Sequence, residues 1–187
     1  MSKAISKKIA FLDRDGIINV DHGYVHKASD LQFVDGFQDL IVRLVKNHFE
    51  PVVVTNQSGV ARGYFSMEMV NRFHEHLRVT LENDTGVNLT KFYVCPHHPT
   101  GMESKYSISC KCRKPKTGLI DAFEKQYDRQ IDYEKSILIG DKINDIDLAI
   151  AKNLKSFQLD TKQYDLHPKA DHIVSSLREV IQILNLI

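Results

Sequence analysis

The stretch IAFLDRDGI, residues 9–17, decides the fold of this chain. An apolar run of the kind that fills buried strands leads directly into Asp13, and Asp15 follows two positions later. Gly16 then permits a tight turn, because glycine adopts backbone conformations that other residues avoid. The stretch therefore predicts a buried β-strand that ends in two acidic side chains, which leave the chain on the same side.

Similar apolar runs recur along the chain and alternate with helical patterns. The candidate strands are PVVVTN ending near Thr55, KFYVC ending at Cys95, SILIGD ending at Asp141 and a weaker KSFQLD ending at Asp160. The helical patterns run from Phe37 to Val45 and from Met69 to Leu81, with shorter ones after Thr117 and after Ile143. This alternation predicts an α/β fold, a Rossmann-like parallel sheet with helices on both faces.

We expect a single domain over residues 1–187, since a chain of 187 residues suits one domain with a full hydrophobic core. No internal repeat, low-complexity segment or Pro/Gly-rich linker divides it. The 25 Lys and Arg and 24 Asp and Glu residues leave a net charge of +1, so nucleic acid and anionic lipid are not expected partners.

The N-terminal residues 1–16 contain only a short apolar run that ends in charged residues, which predicts neither a secretory signal nor a membrane span. We therefore expect a cytoplasmic protein.

The acidic residues at the predicted strand ends indicate a metal site. In an open α/β sheet, ligands collect beyond the carboxyl ends of the strands, where the strand order reverses. Asp13 and Asp15 end one strand, Asp141 follows another, and Asp145 lies one helical turn later, where it can reach the same site or buttress it. Carboxylates this close need a compensating cation, and Mg²⁺ prefers such oxygen ligands. Taken alone, the Asp-x-Asp-Gly motif is equally typical of a polar turn, and the Gly-Asp pair is more typical of a turn or a helix cap.

The segment VVVTNQSGVARG adds Thr55 at a strand end, followed by small polar residues. A hydroxyl and successive backbone N–H groups in such a turn can form an anion site, although alone the segment is an ordinary strand-to-helix loop. Carboxylates, a hydroxyl and a lysine together suit phosphoryl transfer. The chain has no Gly-x-x-x-x-Gly-Lys-Ser/Thr motif, so a nucleotide-dependent P-loop enzyme is not expected.

All three cysteines fall in one short window, which predicts a zinc-binding loop at about residues 95–112. Cys95-x-His97 and Cys110-x-Cys112 supply four ligands suited to a closed tetrahedral Zn²⁺ site, with His98 as the rival of His97. The alternatives are buried free thiols with surface histidines, or a redox pair. A site with four protein ligands has no open position, so we expect the zinc to be structural.

The motifs DRDG, TNQSG, RKP and GDKIND resemble, in order and spacing, those of the haloacid dehalogenase superfamily of phosphohydrolases. The resemblance implies that Asp13 is the nucleophile, that Asp15 is the general acid and base, and that Thr55 and Lys114 hold the transferred phosphoryl group. It also implies that Asp13, Asp141 and the backbone carbonyl of Asp15 bind Mg²⁺. Zinc-containing members use Cys-x-His, which selects His97.

The segments between the motifs leave no room for the cap domain that many members of this superfamily insert. Substrate choice is then expected to rest on short loops. A bisphosphate needs a second cationic pocket for the phosphate that is not cleaved, and Arg113 is expected to supply it. Arg62 is a further candidate for this pocket, unless it is a solvent-exposed charge. The expected substrate-binding residues are Asp21, His22, Gly23, Tyr24, Asn56, Gln57, Ser58, Arg113 and Lys142.

The resemblance implies a sugar bisphosphate phosphatase in the synthesis of nucleotide-activated sugars for surface glycans. We expect a monomer whose partner is a small-molecule sugar phosphate. The alternatives are a histidinol-phosphate phosphatase and, from a different class, a non-catalytic zinc-stabilised protein that binds a phosphorylated ligand. Because Arg113 and Lys114 directly follow Cys112, we further hypothesise that the zinc aims the lysine at phosphate.

Overall fold

The computed structural model describes residues 6–186, in which six parallel strands form one sheet. The order across the sheet is β3-β2-β1-β4-β5-β6. The strands are β1 (Lys8–Leu12), β2 (Phe49–Asn56), β3 (Phe92–Cys95), β4 (Ile137–Gly140), β5 (Lys155–Leu159) and β6 (His172–Val174). Residues 1–5, part of the segment expected to be neither a secretory signal nor a membrane span, lie outside the described residues.

Five α-helices cover the two faces of the sheet. They are α1 (Phe37–Lys46), α2 (Met67–Thr85), α3 (Gly118–Gln126), α4 (Ile143–Ala151) and α5 (Leu177–Ile183), with 3-10 turns at Ala28–Asp30 and Tyr133–Lys135. Alternate residues of β1 point to opposite faces. Ala10 and Leu12 pack with the apolar residues of α1, α2 and α5, whereas Ile9 and Phe11 pack with those of α3 and α4. The core therefore lies in two layers, one on each side of the sheet.

The prediction of an α/β parallel sheet without a cap domain is confirmed. Each of the five predicted strands forms within a few residues of its predicted end. β6 and α5 were not predicted, because strands of 3 residues and helices of 7 residues are too short to show a clear periodicity. Among residues 6–186, no helix is long and apolar enough to cross a membrane.

The topology brings two of the acidic motifs together. β1 lies between β2 and β4, so the strand order reverses between β1 and β4, where ligands of open α/β sheets collect. Leu12 pairs with Ile139, and the amide of Asp13 donates to the carbonyl of Ile139 at 3.0 Å. Asp13 and Asp141 therefore leave adjacent strands at the same edge of the sheet.

Candidate active site

A cavity of about 320 Å³ opens at the carboxyl ends of the central strands. Its deep end is formed by buried charged residues, among them Asp13 and Lys114, which are 4% and 3% exposed. Of the residues expected from the sequence, those that line it are Asp13, Asp15, Asp21, Gly23, Tyr24, Asn56, Gln57, Ser58, Arg113, Lys114 and Lys142. Gly59, Asn144, Asp145 and Tyr164 complete the lining.

Asp13 has one carboxylate oxygen already engaged. Its Oδ1 accepts hydrogen bonds from the backbone amide of Arg14 at 2.7 Å and from the ammonium of Lys114 at 2.8 Å. Burial raises the pKa of Asp13 above its usual value, against the effect of Lys114. Oδ2 is the oxygen that these contacts leave available for a metal ion or for attack on phosphorus.

Lys114 is buried between two carboxylates. Its Nζ lies 2.8 Å from Asp13 Oδ1 and 2.6 Å from Asp145 Oδ1, and it also donates to the carbonyl of Val54 at 2.9 Å. Burial alone would lower the pKa of Lys114, but the two carboxylates raise it. The lysine therefore carries a fixed positive charge next to Asp13.

Asp145 buttresses the site through both of its oxygens. One accepts from Lys114, and the other accepts from the backbone amide of Lys142 at 3.2 Å, at the first turn of α4. The sequence left open whether this residue reaches the metal site or supports it. The contacts favour support, because they hold Lys114 toward Asp13.

Asp141 carries the clearest sign of a cation site. Its Oδ2 is buried and has no hydrogen-bond partner in the part of the chain that the structure describes. Burial, followed by the charge of Asp13, raises the pKa of Asp141 to about 8. Carboxylate oxygens of Asp13, Asp141 and Asp145 lie within 4.8 Å of one another. Hard oxygen donors at this separation, one of them unpaired, fit Mg²⁺.

Gly16 keeps the space beside that oxygen clear. A Cβ at this position would lie 2.2 Å from Asp141 Oδ2, and the residue has a φ of +92°. Both the backbone conformation and the close approach therefore require glycine. The glycine predicted to permit a turn thus also leaves room at the candidate metal site.

Asp15 lies at the centre of a hydrogen-bonded group. The guanidinium of Arg14 donates to both of its oxygens, at 2.7 and 2.9 Å. Asn19 and Gln57 donate to it through their side-chain amides at 3.0 and 2.8 Å. Arg14 is completely buried and contacts His74 Nε2 through Nη1 at 3.2 Å. Arg14 is not identifiable from the sequence, because a charged residue beside a strand end gives no sign of being buried.

The β2 end supplies a second set of polar groups. Gln57 donates to Thr55 Oγ1 at 2.9 Å as well as to Asp15, so it links the two predicted catalytic residues. Asn56 donates to the carbonyl of Lys114 at 3.2 Å and accepts from its amide at 3.0 Å. Asn56 therefore fixes the backbone of the lysine that extends into the site.

The predicted zinc ligands come together beside the site. Cys95, His97, Cys110 and Cys112 form one cluster, with free thiols and contacts between sulfur and nitrogen atoms of 3.2 to 3.7 Å. A tetrahedral ion with bonds of about 2.3 Å to sulfur separates its ligand atoms by roughly 3.7 Å, so the cluster fits Zn²⁺. His98 lies outside it, with its Nε2 3.2 Å from Arg62 Nη2.

Two cysteines of the cluster have opposite pKa shifts. The hydrogen-bonding contact with Cys95 lowers the pKa of Cys112 to about 5, whereas the same contact and burial raise the pKa of Cys95. The cluster therefore readily holds a thiolate, which is the form that binds zinc.

The outer half of the cavity contains an ion pair. Lys142 Nζ lies 3.1 Å from Asp21 Oδ2 and 3.4 Å from Asp141 Oδ1. His22, although predicted to bind substrate, does not line this cavity. It occupies the exposed tip of a turn in which the amide of Gly23 donates to Asp21, and it lines a separate surface depression. Tyr164, from a segment without a recognisable motif, does line the cavity and contacts Asp21.

The reversed strand order, the Asp13 and Asp15 pair after β1, and the lysine and aspartates around it define a phosphatase of the haloacid dehalogenase superfamily. A family model described as polynucleotide kinase 3 phosphatase matches residues 8–180. The D-glycero-beta-D-manno-heptose-1,7-bisphosphate 7-phosphatase of Haemophilus ducreyi is 38% identical over 185 residues, which is 97% of this chain and 100% of that protein. The enzyme of that name from Escherichia coli K12 is 39% identical over 178 residues, covering 93% of this chain and 92% of that protein. This chain belongs to the D-glycero-beta-D-manno-heptose-1,7-bisphosphate 7-phosphatase family.

Solved structures share the same fold. The D,D-heptose 1,7-bisphosphate phosphatase from B. bronchiseptica, crystallised with magnesium and phosphate, aligns with a TM-score of 0.80 at 26% identity. The alignment covers 95% of this chain and 98% of that one. The corresponding protein from Burkholderia thailandensis aligns with a TM-score of 0.66 at 20% identity over 96% of this chain and 99% of that one, which shows the fold alone.

Proposed function

We propose that the chain is a magnesium-dependent phosphatase that removes the 7-phosphate of D-glycero-beta-D-manno-heptose 1,7-bisphosphate. The observation that carries the proposal is the sequence identity of 38% and 39%, over nearly the full length of the chain, to enzymes of that name. The buried carboxylate site at the reversal of strand order supplies the chemistry that such a reaction requires.

In the first step, a lone pair on Asp13 Oδ2 attacks the phosphorus of the 7-phosphate. As the new O–P bond forms, the bond between phosphorus and the sugar oxygen breaks, and its electron pair stays on that oxygen. Asp15 donates a proton to the leaving oxygen, so the sugar departs as an alcohol and leaves an aspartyl-phosphate.

In the second step, water attacks the phosphorus of the aspartyl-phosphate while Asp15 accepts its proton. The bond between phosphorus and Asp13 Oδ2 breaks, which restores the carboxylate and releases inorganic phosphate. Covalent catalysis thus divides one difficult hydrolysis into two easier transfers.

The residues around Asp13 compensate the charge of the phosphoryl group. Lys114 is buried 2.8 Å from Asp13, and Thr55 is the next-to-last residue of the neighbouring strand, which supports a role for both in holding the transferred group. Mg²⁺, held by Asp13, Asp141 and the carbonyl of Asp15, would add positive charge beside the phosphoryl oxygens and orient them.

The phosphate that is not cleaved requires cations in the outer half of the cavity. Arg113 lines the cavity, and its guanidinium also contacts the carbonyl of His97 at 3.4 Å. Arg62 is turned toward His98 and does not line the cavity. We therefore assign the second phosphate to Arg113, with Lys142 and the loops at residues 21–24 and 56–58 around the sugar.

We also propose that the cluster of Cys95, His97, Cys110 and Cys112 binds one structural Zn²⁺. The protein purified after growth with zinc should contain one zinc ion per chain by elemental analysis. Less than this amount, with all three thiols reacting freely in the native protein, would disprove the zinc site.

The test of function is phosphate release with Mg²⁺ across both anomers of heptose 1,7-bisphosphate, other sugar bisphosphates and histidinol phosphate. We expect the beta heptose bisphosphate to give the highest kcat/KM. Preference for histidinol phosphate would overturn the proposed substrate in favour of the neighbouring class of phosphatases.

Replacement of the nucleophile separates an enzyme from a protein that only binds a phosphorylated ligand. Asp13→Asn should abolish Mg²⁺-dependent phosphate release while the protein remains folded. A wild-type protein that binds the bisphosphate but releases no phosphate would instead support the binding protein.

We place this enzyme in the synthesis of nucleotide-activated heptose, in the cytoplasm, and as a monomer. The free thiols of the cysteine cluster are compatible with that compartment. Light scattering after size exclusion measures the oligomeric state.

A further inference from the structure

Tyr164 lies in the segment between β5 and β6 and lines the outer half of the active-site cavity. It is 39% exposed, whereas Asp13 and Lys114 at the deep end are 4% and 3% exposed. Because phosphorus must reach Asp13, the transferred group occupies the deep end. The organic part of the substrate then extends outward, past Tyr164.

Tyr164 contacts two charged residues with different parts of its side chain. Its hydroxyl donates to Asp21 Oδ2 at 2.9 Å, the same oxygen that accepts from Lys142 at 3.1 Å. The ammonium of Lys142 also lies 4.4 Å from the centre of the Tyr164 ring, within cation–π range. The tyrosine thus contacts both the acidic side chain of Asp21 and the basic side chain of Lys142, which come from two other loops.

The segment that carries Tyr164 is itself anchored to the catalytic edge of the sheet. Gln158, which is completely buried in β5, donates to the carbonyls of Asp141 at 3.1 Å and Asp165 at 3.0 Å. Its Oε1 accepts from the amide of His167 at 2.7 Å. Tyr164 is therefore held at a fixed position relative to the strand end that bears Asp141.

We propose that Tyr164 is a positioning residue that determines how tightly the enzyme holds the organic part of its substrate. By fixing Lys142 and Asp21 across the outer half of the cavity, it keeps both side chains ready to contact that part. The inference rests on the proposed function only in requiring that a phosphate ester is hydrolysed at Asp13. Tyr164 contributes to substrate affinity and leaves phosphoryl transfer at the deep end unchanged.

The test compares Tyr164→Phe with Tyr127→Phe. Both substitutions remove a hydroxyl that donates to a carboxylate, since Tyr127 donates to Glu50 at 2.6 Å. Tyr127 lies away from the active-site cavity, among residues that line a separate cavity beside β3. The measurements are kcat and KM for the heptose bisphosphate, and inhibition by its product heptose 1-phosphate and by inorganic phosphate.

We expect Tyr164→Phe to raise KM and the inhibition constant of heptose 1-phosphate about tenfold, because a charge-assisted hydrogen bond is lost. The kcat and the inhibition constant of inorganic phosphate should stay within twofold. Tyr164→Leu, which also removes the ring from Lys142, should raise KM further. Tyr127→Phe should leave all four constants unchanged.

Equal changes in both inhibition constants, or no change in either, would overturn the proposal, because a merely structural role does not distinguish the two inhibitors. If the wild-type enzyme instead hydrolyses a different ester of the panel, the proposed heptose substrate is disproved, but the role proposed for Tyr164 is not. The same comparison made with that ester and its alcohol product then decides the role of Tyr164.

Discussion

At the scale of single residues, Arg14 and His74 show how a buried cation can be accommodated beside a catalytic carboxylate. The guanidinium of Arg14 is balanced by Asp15, and it also donates to the carbonyl of Val25 at 2.7 Å. Arginine has no acceptor, so His74 Nε2 must accept from it and must be unprotonated. Together with Asp15 and Val25, His74 gives each guanidinium nitrogen of Arg14 a partner without access to water.

We predict that His74 makes stability depend on pH. Burial, followed by the charge of Arg14, lowers the pKa of His74 to about 3, whereas an unfolded chain has about 6.5. Between these values the unfolded state binds more protons, so stability is fully present above pH 6.5 and is lost as pH falls toward 3. By pH 4.5 the wild type should lose about 2 to 3 kcal/mol through this residue.

His74→Gln keeps an acceptor for Arg14 but cannot be protonated, so its unfolding free energy in urea should fall less between pH 7 and pH 4.5. The matched control is His76→Gln, an exposed residue of the same helix. Equal pH dependence of the wild type and His74→Gln would contradict the prediction.

Gly16 gives a second prediction at this scale. In Gly16→Ala the new Cβ would meet Asp141 Oδ2 at 2.2 Å, so the carboxylate has to move away from its place beside Asp13. We expect kcat to fall at least about 100-fold, through loss of the metal ion that lowers the barrier. Steady-state kinetics at saturating Mg²⁺ measures this.

The control for Gly16 is Gly86→Ala. Gly86 also has a positive φ, of +74°, but nothing lies within 4 Å of an added Cβ. Both variants should lose about 1 kcal/mol of stability from backbone strain, while Gly86→Ala keeps its activity. If Gly16→Ala keeps kcat within threefold of the wild type, the close approach has no role at the metal site.

At the scale of elements, the segment of residues 95–112 and the end of β2 both hold Lys114. The amide of Arg113 contacts the sulfur of Cys110 at 3.3 Å, which ties the residue before the lysine to the cysteine cluster. Asn56 bonds both backbone groups of Lys114. The cysteine cluster is therefore one of two supports of the Lys114 backbone, and Asn56 is the other, whereas Asp145 holds the ammonium group.

We predict that Cys112→Ser loses zinc and lowers kcat at least about tenfold, because one of the two supports of the Lys114 backbone becomes mobile. Lys114→Ala should lower kcat further, since it removes the charge itself. Ser109→Ala, in the same loop but outside the cluster, should keep both zinc and activity. Zinc content by elemental analysis and kcat of the folded variants are the measurements.

A Cys112→Ser protein that lacks zinc but retains full activity would show that the cluster only stabilises the fold. The contacts of Lys114 with Asn56 and Asp145 would then be sufficient to position it.

At the scale of the whole molecule, the buried edge of the sheet carries more negative than positive charge. Asp13, Asp141 and Asp145 are all nearly inaccessible, and Lys114 is the buried lysine between two of them. Asp141 shows the effect of this excess negative charge, because its pKa is raised first by burial and then by the charge of Asp13. A divalent cation would relieve this repulsion, so metal binding should stabilise the entire fold.

We predict that Mg²⁺ raises the melting temperature. At a concentration about 100 times Kd, binding adds about 2.7 kcal/mol, which corresponds to roughly 5 to 10 °C for a chain of this size. Thermal unfolding with and without Mg²⁺ measures the shift. Asp141→Asn should show almost no shift, whereas Asp147→Asn, on α4 but outside the cluster of Asp13, Asp141 and Asp145, should respond like the wild type. An unchanged shift in Asp141→Asn would exclude Asp141 as a metal ligand.

The sequence by itself determined the alternation of strands and helices and the polar residues at the strand ends. Those features are local, because periodicity and turn residues act over a few positions. It also indicated the cysteine cluster, since pairs spaced by one residue are visible without a fold, whereas the choice of His97 over His98 came from the resemblance to zinc-containing phosphatases.

Tertiary structure alone decided which of these residues meet and which others join them. Lys114 lies between Asp13 and Asp145, Arg14 reaches His74, and Tyr164 reaches Asp21 across 143 positions of the chain. These contacts depend on strand order, side-chain direction and burial, which no local pattern encodes. His22 lies at the tip of a surface turn and lines a separate depression, although its neighbours Asp21 and Gly23 line the active-site cavity. The local sequence does not encode which residues of such a turn face the cavity.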